Sequence, residues 1–380
     1  MSPNVEEGKN YCIGDIMQQK VLRRTELAEK LKQDIYLKEL QVGDRIGSIR
    51  RLAMRYHTTP LTVNRTLNAL VEEQILYRDE NGCCRIMNAP PVKPRLGYAG
   101  EPILPSGNLD CLMQDAVRKL FNELDKLNSS PQIIGYHELC NPEIAMQRLK
   151  NINGLIVHDS FFDDNTCEVL NKLNIPIVRI GQALPKYSAF SSSEVVQFFD
   201  PALKEFAQYC KLESYKKIFI VHTSHWNSAK LAREIRHFLH NCKLDNIIET
   251  VTLDKAPWNN AELQAFCFFQ QTDKSMWDDS LIISLSGYFS RGICRALSGK
   301  GELPDILSID NLDSYEKCSF FGEPYLTAID RNMGRIFREA ARLIYDQVKS
   351  GDERKVIIKI PAKLAIRKSI RHINPNWSEK

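Results

Sequence analysis

The sequence lacks any apolar run that approaches the roughly 20 residues needed to cross a bilayer, and its polar amino-terminal segment lacks a signal-peptide core. These absences favour a cytoplasmic protein with no membrane partner. Neither sign of charge dominates, since 51 Lys and Arg residues stand against 47 Asp and Glu residues, for a formal net charge of +4. Binding to a polyanion must therefore depend on a local basic cluster and not on total charge.

Metal-binding motifs are also missing. The eleven cysteines are scattered without a Cys-x-x-Cys pair, and most fall in apolar patterns where a reduced cysteine acts as a small hydrophobic residue. Two His-x-x-His spacings place His222 near His225 and His237 near His240. Because no cluster of further ligands surrounds either pair, surface or capping roles are favoured, and we expect neither a metal nor a cofactor.

One stretch departs from the balanced charge of the whole chain. Residues 45–71 contain five arginines and no carboxylate, which points to a polyanionic partner. Ser48 can cap a first short helix, whose apolar residues fall at helical spacing on one face: Ile49, Leu52, Ala53 and Tyr56. His57 and Thr58 interrupt this pattern.

A second helix is predicted directly afterwards. Thr59 is a favoured N-cap residue, and Pro60 suits the first helical position because its missing N–H would have no partner there. One side of this helix is apolar, with Val63, Leu67, Leu70 and Val71, and the other carries Leu61, Asn64, Arg65 and Asn68. Two helices joined by a tight turn, with the polar side of the second exposed, are typical of proteins that read the major groove of DNA.

The flanking segments complete a small domain. A helix is predicted over residues 24–40, and two short apolar runs at 75–78 and 84–87 are joined by a turn with Asn81-Gly82, a strong hairpin signal. Together with the two central helices, these segments resemble the GntR family of winged-helix regulators over about residues 25–88. The motifs that carry the resemblance are residues 43–48, 50–53 and 62–63 and the wing glycine, Gly82.

This resemblance implies a set of DNA contacts, in which Arg50 matches the DNA-contacting arginine of the family. We predict that double-stranded operator DNA is contacted by Arg45, Ser48, Arg50, Arg51, Thr59, Pro60, Leu61, Thr62, Asn64, Arg65, Asn68, Gly82 and Arg85. The arginines of the first helix either neutralise phosphates or form a solvated face. In the second helix, asparagine suits adenine and arginine suits guanine through paired hydrogen bonds. Pro60 and Asn64 stand where well-known relatives often carry arginine, and Cys84 stands where a second wing glycine is usual.

The rest of the chain has a different pattern. A proline-rich connector occupies residues 89–94. Short apolar runs then alternate with helical stretches, which predicts α/β architecture with parallel sheets. The runs lie at 96–99, 132–136, 154–158, 176–180, 217–221, 247–251, 281–284 and 306–309. So many units over this length suggest two sheets and hence two lobes.

This region resembles the effector domain of LacI-type repressors, which is similar to periplasmic sugar-binding proteins. The motifs are residues 153–157, 175–178, 215–220, 281–297, 326–334 and 362–369. The resemblance implies a two-lobed domain over residues 95–370. An arm at 1–23 and a winged domain at 24–88 precede this domain, and a tail at 371–380 follows it. It also implies crossings near Phe190, near 327–331 and near 351–355. Lobe 1 is then 95–190 with 331–352, and lobe 2 is 191–330 with 353–370.

Small ligands of such folds bind between the lobes, at the carboxyl ends of the strands. The candidate effector-binding residues are Glu101, Phe161, Phe162, Gln182, Trp226, Arg233, Tyr288, Asn311 and Asp313. Arg233 matches the arginine that LacI-type domains use on sugar hydroxyls. Phe161, Phe162 and Tyr288 equally suit a packed core or the surface between the lobes.

Two positions depart from the family pattern. Ser286-Gly287 replaces an expected Asn-Asp, and Leu312 replaces an expected Asp, with Asp310 and Asp313 on either side. The ligand is then an unusual saccharide, or the cleft has lost sugar binding.

The sequence thus predicts a homodimeric transcription regulator of carbohydrate-utilisation genes, most simply a repressor, with a sugar as its effector. A regulator with a degenerate cleft is the first alternative. An enzyme with a DNA-binding appendage is the second, although the chain lacks Gly-x-Ser-x-Gly, Gly-x-x-x-x-Gly-Lys-Ser/Thr and paired carboxylates at strand ends. We therefore expect no enzymatic activity.

Overall fold

The computed structural model describes residues 24–37, 40–88, 94–100, 111–181, 190, 192–224, 226–244, 247–253, 261–315, 320–352 and 354–377. The chain divides into two compact units, residues 1–93 and 94–380. The division falls inside the predicted connector. The predicted arm at 1–23 lies outside the described residues.

The first unit is a small helical domain with a two-stranded wing. Its elements are α1 (Arg24–Leu37), α2 (Ile49–Arg55), α3 (Pro60–Glu72), β1 (Leu76–Arg78) and β2 (Cys84–Ile86). The strands pair antiparallel across the predicted turn. Apolar residues from every element meet in one core that includes Leu27, Leu31, Leu52, Val63, Leu67, Leu70 and Ile86. The predicted winged helix-turn-helix is therefore confirmed, with α1 ending three residues earlier than expected.

The two caps predicted for the central helices are present. The Ser48 side chain accepts a hydrogen bond from the Arg51 backbone N–H at 3.3 Å, and Thr59 accepts one from the Thr62 N–H at 3.1 Å. Pro60 is the first residue of α3. These local contacts fix where each helix begins, and a cap of this kind contributes about 1 kcal/mol.

The second unit begins with strands and helices of lobe 1. They are β3 (Arg95–Ala99), α4 (Cys111–Lys126), β4 (Ser130–Ile134), α5 (Tyr136–Cys140), α6 (Pro142–Leu149), β5 (Gly154–His158), α7 (Asp164–Leu170), β6 (Ile177–Gly181) and β7 (Ser193–Phe198). Lobe 2 follows with α8 (Asp200–Tyr209), β8 (Lys217–Thr223), α9 (Trp226–Asn241), β9 (Ile248–Leu253), α10 (Ala261–Gln271), β10 (Ser280–Ser284), α11 (Gly287–Leu297), β11 (Asp305–Ile309) and β12 (Thr327–Asp330). The chain ends with α12 (Met333–Ser350), β13 (Ile357–Pro361) and β14 (Lys363–Ala365).

Each lobe is built on a six-stranded sheet. The lobe 1 order is β13-β7-β6-β5-β3-β4, and the lobe 2 order is β14-β12-β11-β10-β8-β9. Every pairing is parallel except that of β12 with β14. Central strands such as β5, β6 and β10 are buried along their whole length, as expected for sheets covered by helices on both faces. The predicted α/β class with parallel sheets is confirmed.

Two of the three predicted crossings are wrong. β7 stays in the lobe 1 sheet beside β6, so the first crossing follows Phe198 and not Phe190. β13 also joins that sheet, beside β7, which moves the last crossing to Ala362. In the sequence, the adjacent apolar pairs Val195-Val196 and Phe198-Phe199 hide the alternation that would mark β7 as a strand. The middle crossing lies between β12 and α12, at Arg331 and Asn332.

Within the described ranges, no helix has both the length and the apolar character that a bilayer span requires. Among the same residues, no three His, Cys, Asp or Glu side chains are grouped as metal ligands would be. His225 lies outside the described residues. His237 and His240 stack on α9 with their ring centroids 6.5 Å apart.

Candidate nucleic-acid interface and effector cleft

Two arginines lie exposed near the start of the α2 helix. Arg50 and Arg51 are exposed, and neither forms an ion pair with any other residue that the structure describes. Arg55, on the next turn, is paired with Asp34 of α1 at 2.8 Å and lies over the Tyr56 ring. The positive charge available to a partner on α2 is therefore concentrated at its amino-terminal end.

The α3 helix turns its polar side to solvent, as predicted. Leu61 is 59% exposed, Arg65 and Asn68 are exposed and Asn64 is half-buried. The opposite side is buried through Val63, Thr66, Leu67 and Leu70. Since no acidic residue lies in the first turn, the exposed side offers donors and a positive charge to a polyanion.

Arg78 at the end of β1 links the wing to this exposed side. Its Nη2 donates to Asn64 Oδ1 at 3.1 Å and to Asn68 Oδ1 at 2.6 Å, and its Nη1 donates to the Gly82 carbonyl at 3.2 Å. Arg78 is not among the residues that the sequence predicts to contact DNA. Its partners are 4 to 14 residues away along the chain, and no local pattern signals such a contact.

Arg85, predicted to contact DNA from the wing, is held by its own domain. Its Nε pairs with Asp79 at 2.7 Å, and its Nη1 donates to the Gly43 carbonyl at 2.8 Å. The Arg85 guanidinium holds the pKa of the Asp79 carboxyl below its usual value. Arg85 thus braces the wing against the loop that holds Gly43, and its contact with DNA stays a prediction. Gly82 and Arg45 remain exposed, and Gly82 has the positive φ of 73° that its turn requires.

The second unit has a polar cleft between its lobes. Lobe 1 contributes residues of α4 and the first turns of α12, and lobe 2 contributes the loops after β11 and β12. The wall consists of Leu112, Asp115, Lys119, Asp310, Asn311, Ser314, Tyr315, Asp330, Arg331, Asn332, Met333, Gly334, Arg335 and Arg338. Tyr315 reaches across from lobe 2 and donates to Asp115 of α4 at 3.2 Å.

Asn311, one of the predicted effector residues, lies on this wall. Its Nδ2 donates to Asp330 at 3.2 Å and its Oδ1 accepts from Arg367 at 2.6 Å. Asp313 is buried, and one carboxylate oxygen accepts the backbone N–H groups of Tyr325 and Leu326 at 2.9 and 2.8 Å. Asp313 therefore holds the segment before β12 through this oxygen, while its Oδ1 is buried without a partner among the described residues, and its contact with a ligand stays a prediction.

The predicted aromatic residues divide between two environments. Phe161 and Phe162 are 8% and 4% exposed and pack in the lobe 1 core, so their assignment to the cleft is wrong. Both phenylalanine side chains are buried because they pack against apolar residues of α7. Tyr288 is half-buried, and its hydroxyl accepts the backbone N–H of Cys111 from lobe 1 at 3.3 Å. Tyr288 thus lies where the two lobes meet.

The remaining predicted effector residues lie elsewhere. Glu101 and Gln182 are outside the described residues, as is the side chain of Trp226, the first residue of α9. Arg233 is exposed on α9 and is not on the wall of the cleft.

Comparisons with known proteins address the two units separately. Residues 23–86 match the model of the "Bacterial regulatory proteins, gntR family". The chain is also 32% identical over 83 residues to the HTH-type transcriptional repressor PurR of Mannheimia succiniciproducens. That match covers 22% of this chain, which spans only a quarter (25%) of the length of that relative.

Solved structures resemble the larger unit. A LacI family transcriptional regulator from Enterococcus faecium with bound ribose matches 74% of this chain and 100% of its own, with a TM-score of 0.56 at 15% identity. A putative LacI regulator from Bacillus cereus subsp. cytotoxis matches 74% of this chain and 99% of its own, with a TM-score of 0.58 at 19% identity. At such low sequence identities, the structural similarity shows only that the fold is shared. The chain therefore joins a helix-turn-helix domain of the gntR family to a two-lobed domain with the fold of LacI-family regulators.

Proposed function

We propose that this chain is a transcription regulator that binds operator DNA as a homodimer and represses carbohydrate-utilisation genes. In this proposal a small effector, a sugar, binds between the lobes of the second unit and changes the affinity for DNA. Catalysis has no part in the proposed role.

The observation that carries the proposal is the surface formed by α2 and α3. Arg50 and Arg51 are exposed without an ion-pair partner in the described part of the chain, and the first turns of α3 carry half-buried Asn64 and exposed Arg65. Arginines suit phosphates, and side chains in the first turns of a recognition helix reach base edges. The match to the gntR family supports the same assignment.

The proposed homodimer rests on the small size of the winged domain. A single winged domain contacts few base pairs, and two-fold symmetry doubles the number of contacts on one operator. We expect the operator to consist of two related half-sites.

The proposed effector class rests on the polar wall of the cleft. Carboxylates such as Asp115 and Asp330, bases such as Lys119 and Arg335, and the Tyr315 ring line it together. A ligand with many hydroxyl groups can both donate to the carboxylates and accept from the bases. A relative of the same fold was solved with bound ribose, which supports a sugar here.

Selection of genomic fragments by the full chain tests the proposal. The source genome is sheared, incubated with the chain, and the bound fragments are sequenced. We expect a few enriched sites with two-fold symmetry next to carbohydrate-utilisation genes. Enrichment that is uniform along the genome contradicts sequence-specific regulation.

A second candidate is a regulator whose cleft no longer takes a sugar. Asn311 and Asp313 favour it, because both are engaged by protein groups, Arg367 and the backbone before β12. A thermal-shift screen with monosaccharides separates the candidates. A sugar at a hundredfold excess over its Kd stabilises the native state by about 2.7 kcal/mol, and the absence of any such shift supports the second candidate.

A further inference from the structure

Arg78 is a side chain of the wing that contacts the recognition helix, α3. It lies at the end of β1, and Asn64 and Asn68 are one helical turn apart on the exposed side of α3. The Nη2 atom donates to both amide oxygens, at 3.1 and 2.6 Å. A third hydrogen bond, to the Gly82 carbonyl at 3.2 Å, ties the same guanidinium to the wing turn.

This contact determines which way each amide points. A guanidinium has N–H donors and no acceptor, so only the oxygen of each asparagine can face Arg78. The Nδ2 group of Asn64 and of Asn68 must then point away from the guanidinium. The exposed side of α3 therefore presents amide donors, with the two amide oxygens turned toward Arg78.

Base edges distinguish such a donor from a free amide. In the major groove, adenine offers an acceptor and a donor, and a free asparagine pairs with both. Guanine offers two acceptors, and cytosine offers a donor. An amide that turns its oxygen to Arg78 and its NH2 group outward can donate to the acceptors of guanine. It lacks the outward oxygen that would accept from adenine, and toward cytosine it presents a donor to a donor.

We propose that Arg78 is a specificity-determining positioning residue that orients Asn64 and Asn68, so that the recognition helix selects guanine over adenine at the bases they face. Arg78 acts through the two amides and does not itself read a base. The inference rests on the proposed DNA-binding function and revises the expectation that Asn64 reads adenine. It predicts that removal of the guanidinium changes the preferred base and not only the affinity.

The test is selection of bound sites from a random duplex library by the full chain, with Arg78→Met compared to the wild type. Methionine keeps an unbranched side chain but has no donor for the amides. We expect the wild type to enrich guanine at the bases that Asn64 and Asn68 face. Arg78→Met should shift the guanine-to-adenine ratio there by about tenfold toward adenine, as expected for a bidentate pair that is regained.

Arg24→Met is the matched control. Arg24 is exposed at the start of α1, so this variant loses the same charge without touching either amide. We expect it to enrich the wild-type sequence. Arg78→Lys is a second variant that keeps the charge but has a single nitrogen, and we expect a smaller shift, about threefold, in the same direction.

The outcomes separate the two proposals. If the wild type enriches one motif and both Arg78 variants enrich the same motif with unchanged base ratios, the orienting role is overturned and the DNA-binding function stands. If the wild type enriches guanine and only the Arg78 variants shift toward adenine, the inference holds. If the wild type enriches no motif, the proposed function fails and this inference fails with it. Circular dichroism of each variant shows whether it is folded. If Arg78→Met does not fold, the base ratios enriched by Arg78→Lys test the orienting role.

Discussion

Gly287 packs so closely against Leu312 that a side chain at position 287 would enter the space that Leu312 occupies. A Cβ atom added at Gly287 would lie 2.8 Å from the Leu312 Cβ, and both residues are buried. These are the two positions at which the sequence departs from the polar pattern of LacI-type domains. Their contact indicates that the two departures are coupled, with the small residue making room for the larger one.

We predict that Gly287→Ala destabilises the chain by about 1 to 3 kcal/mol, because overpacking forces neighbouring groups to move. Urea unfolding measures the loss. Gly299→Ala is the control, since no heavy atom lies within 4 Å of a Cβ added there, and we expect a change within about 0.5 kcal/mol.

The contact between Gly287 and Leu312 also predicts which replacement of Leu312 relieves the effect of Gly287→Ala. Leu312→Ala keeps the Cβ that causes the clash, so it should not relieve Gly287→Ala, whereas Leu312→Gly should. A double-mutant cycle in urea gives the interaction free energy of each pair. Equal coupling for the alanine and glycine replacements would contradict the proposed contact.

The Asn64 side chain should carry sequence preference. We expect Asn64→Ala to weaken binding to the selected operator by about 1 to 3 kcal/mol and to change binding to random DNA little, because base contacts are made only on the specific site. Fluorescence anisotropy with both duplexes at one salt concentration measures the two losses. Equal losses on the two duplexes would refute base recognition by Asn64.

Arg51 should behave in the opposite way. It is exposed and has no ion-pair partner within the described ranges, so we expect a phosphate contact. Arg51→Ala should weaken binding to operator and random DNA alike and reduce the slope of log K against log salt by about 1. An unchanged slope would show that Arg51 forms a solvated face.

Asp305 should make the stability of the second unit depend on pH. Burial acts to raise the pKa of Asp305, but hydrogen bonds from Tyr215 and Arg371 outweigh it and hold the pKa below 3.8. The contacts are 2.6 Å to the Tyr215 hydroxyl and 2.7 Å to Arg371 Nε. Because the folded pKa is the lower one, the stabilisation is present above about pH 4 and is lost as the pH falls through the folded pKa.

Asp305→Asn removes this stabilisation. We expect it to cost about 1 to 3 kcal/mol at pH 7, as for other buried charge-assisted hydrogen bonds, and less near pH 3. Urea unfolding of the wild type and the variant at both pH values measures the difference. A penalty that does not decrease on acidification would contradict the assignment.

Local signals explain most of what the sequence predicted. Ser48 and Thr59 cap their helices through neighbours three residues away, and Pro60 needs only its own geometry, so the helix starts were predicted correctly. The buried strands of the central sheets were found because they are short, apolar and flanked by helical stretches.

Contacts between distant residues explain what was missed. β7 forms a strand because it pairs with β6 on one side and β13 on the other. The local sequence does not indicate either pairing. Arg78 meets Asn64 across 14 positions, and Asp313 meets the backbone of Leu326 across 13. The assignment of Phe161 and Phe162 to the cleft is wrong because order along the chain gives the strand end but not the direction of each side chain.

The affinity ratio between a selected operator and a shuffled duplex of equal composition tests the central claim most directly. Anisotropy titrations of the full chain and of the triple variant Arg50→Ala, Arg51→Ala, Asn64→Ala give this ratio at one salt concentration. We predict a ratio of at least about 10³ for the wild type and its collapse toward 1 in the variant, with the fold retained. A wild-type ratio near 1, or a variant that keeps the full ratio, would contradict DNA reading by the exposed surface of α2 and α3.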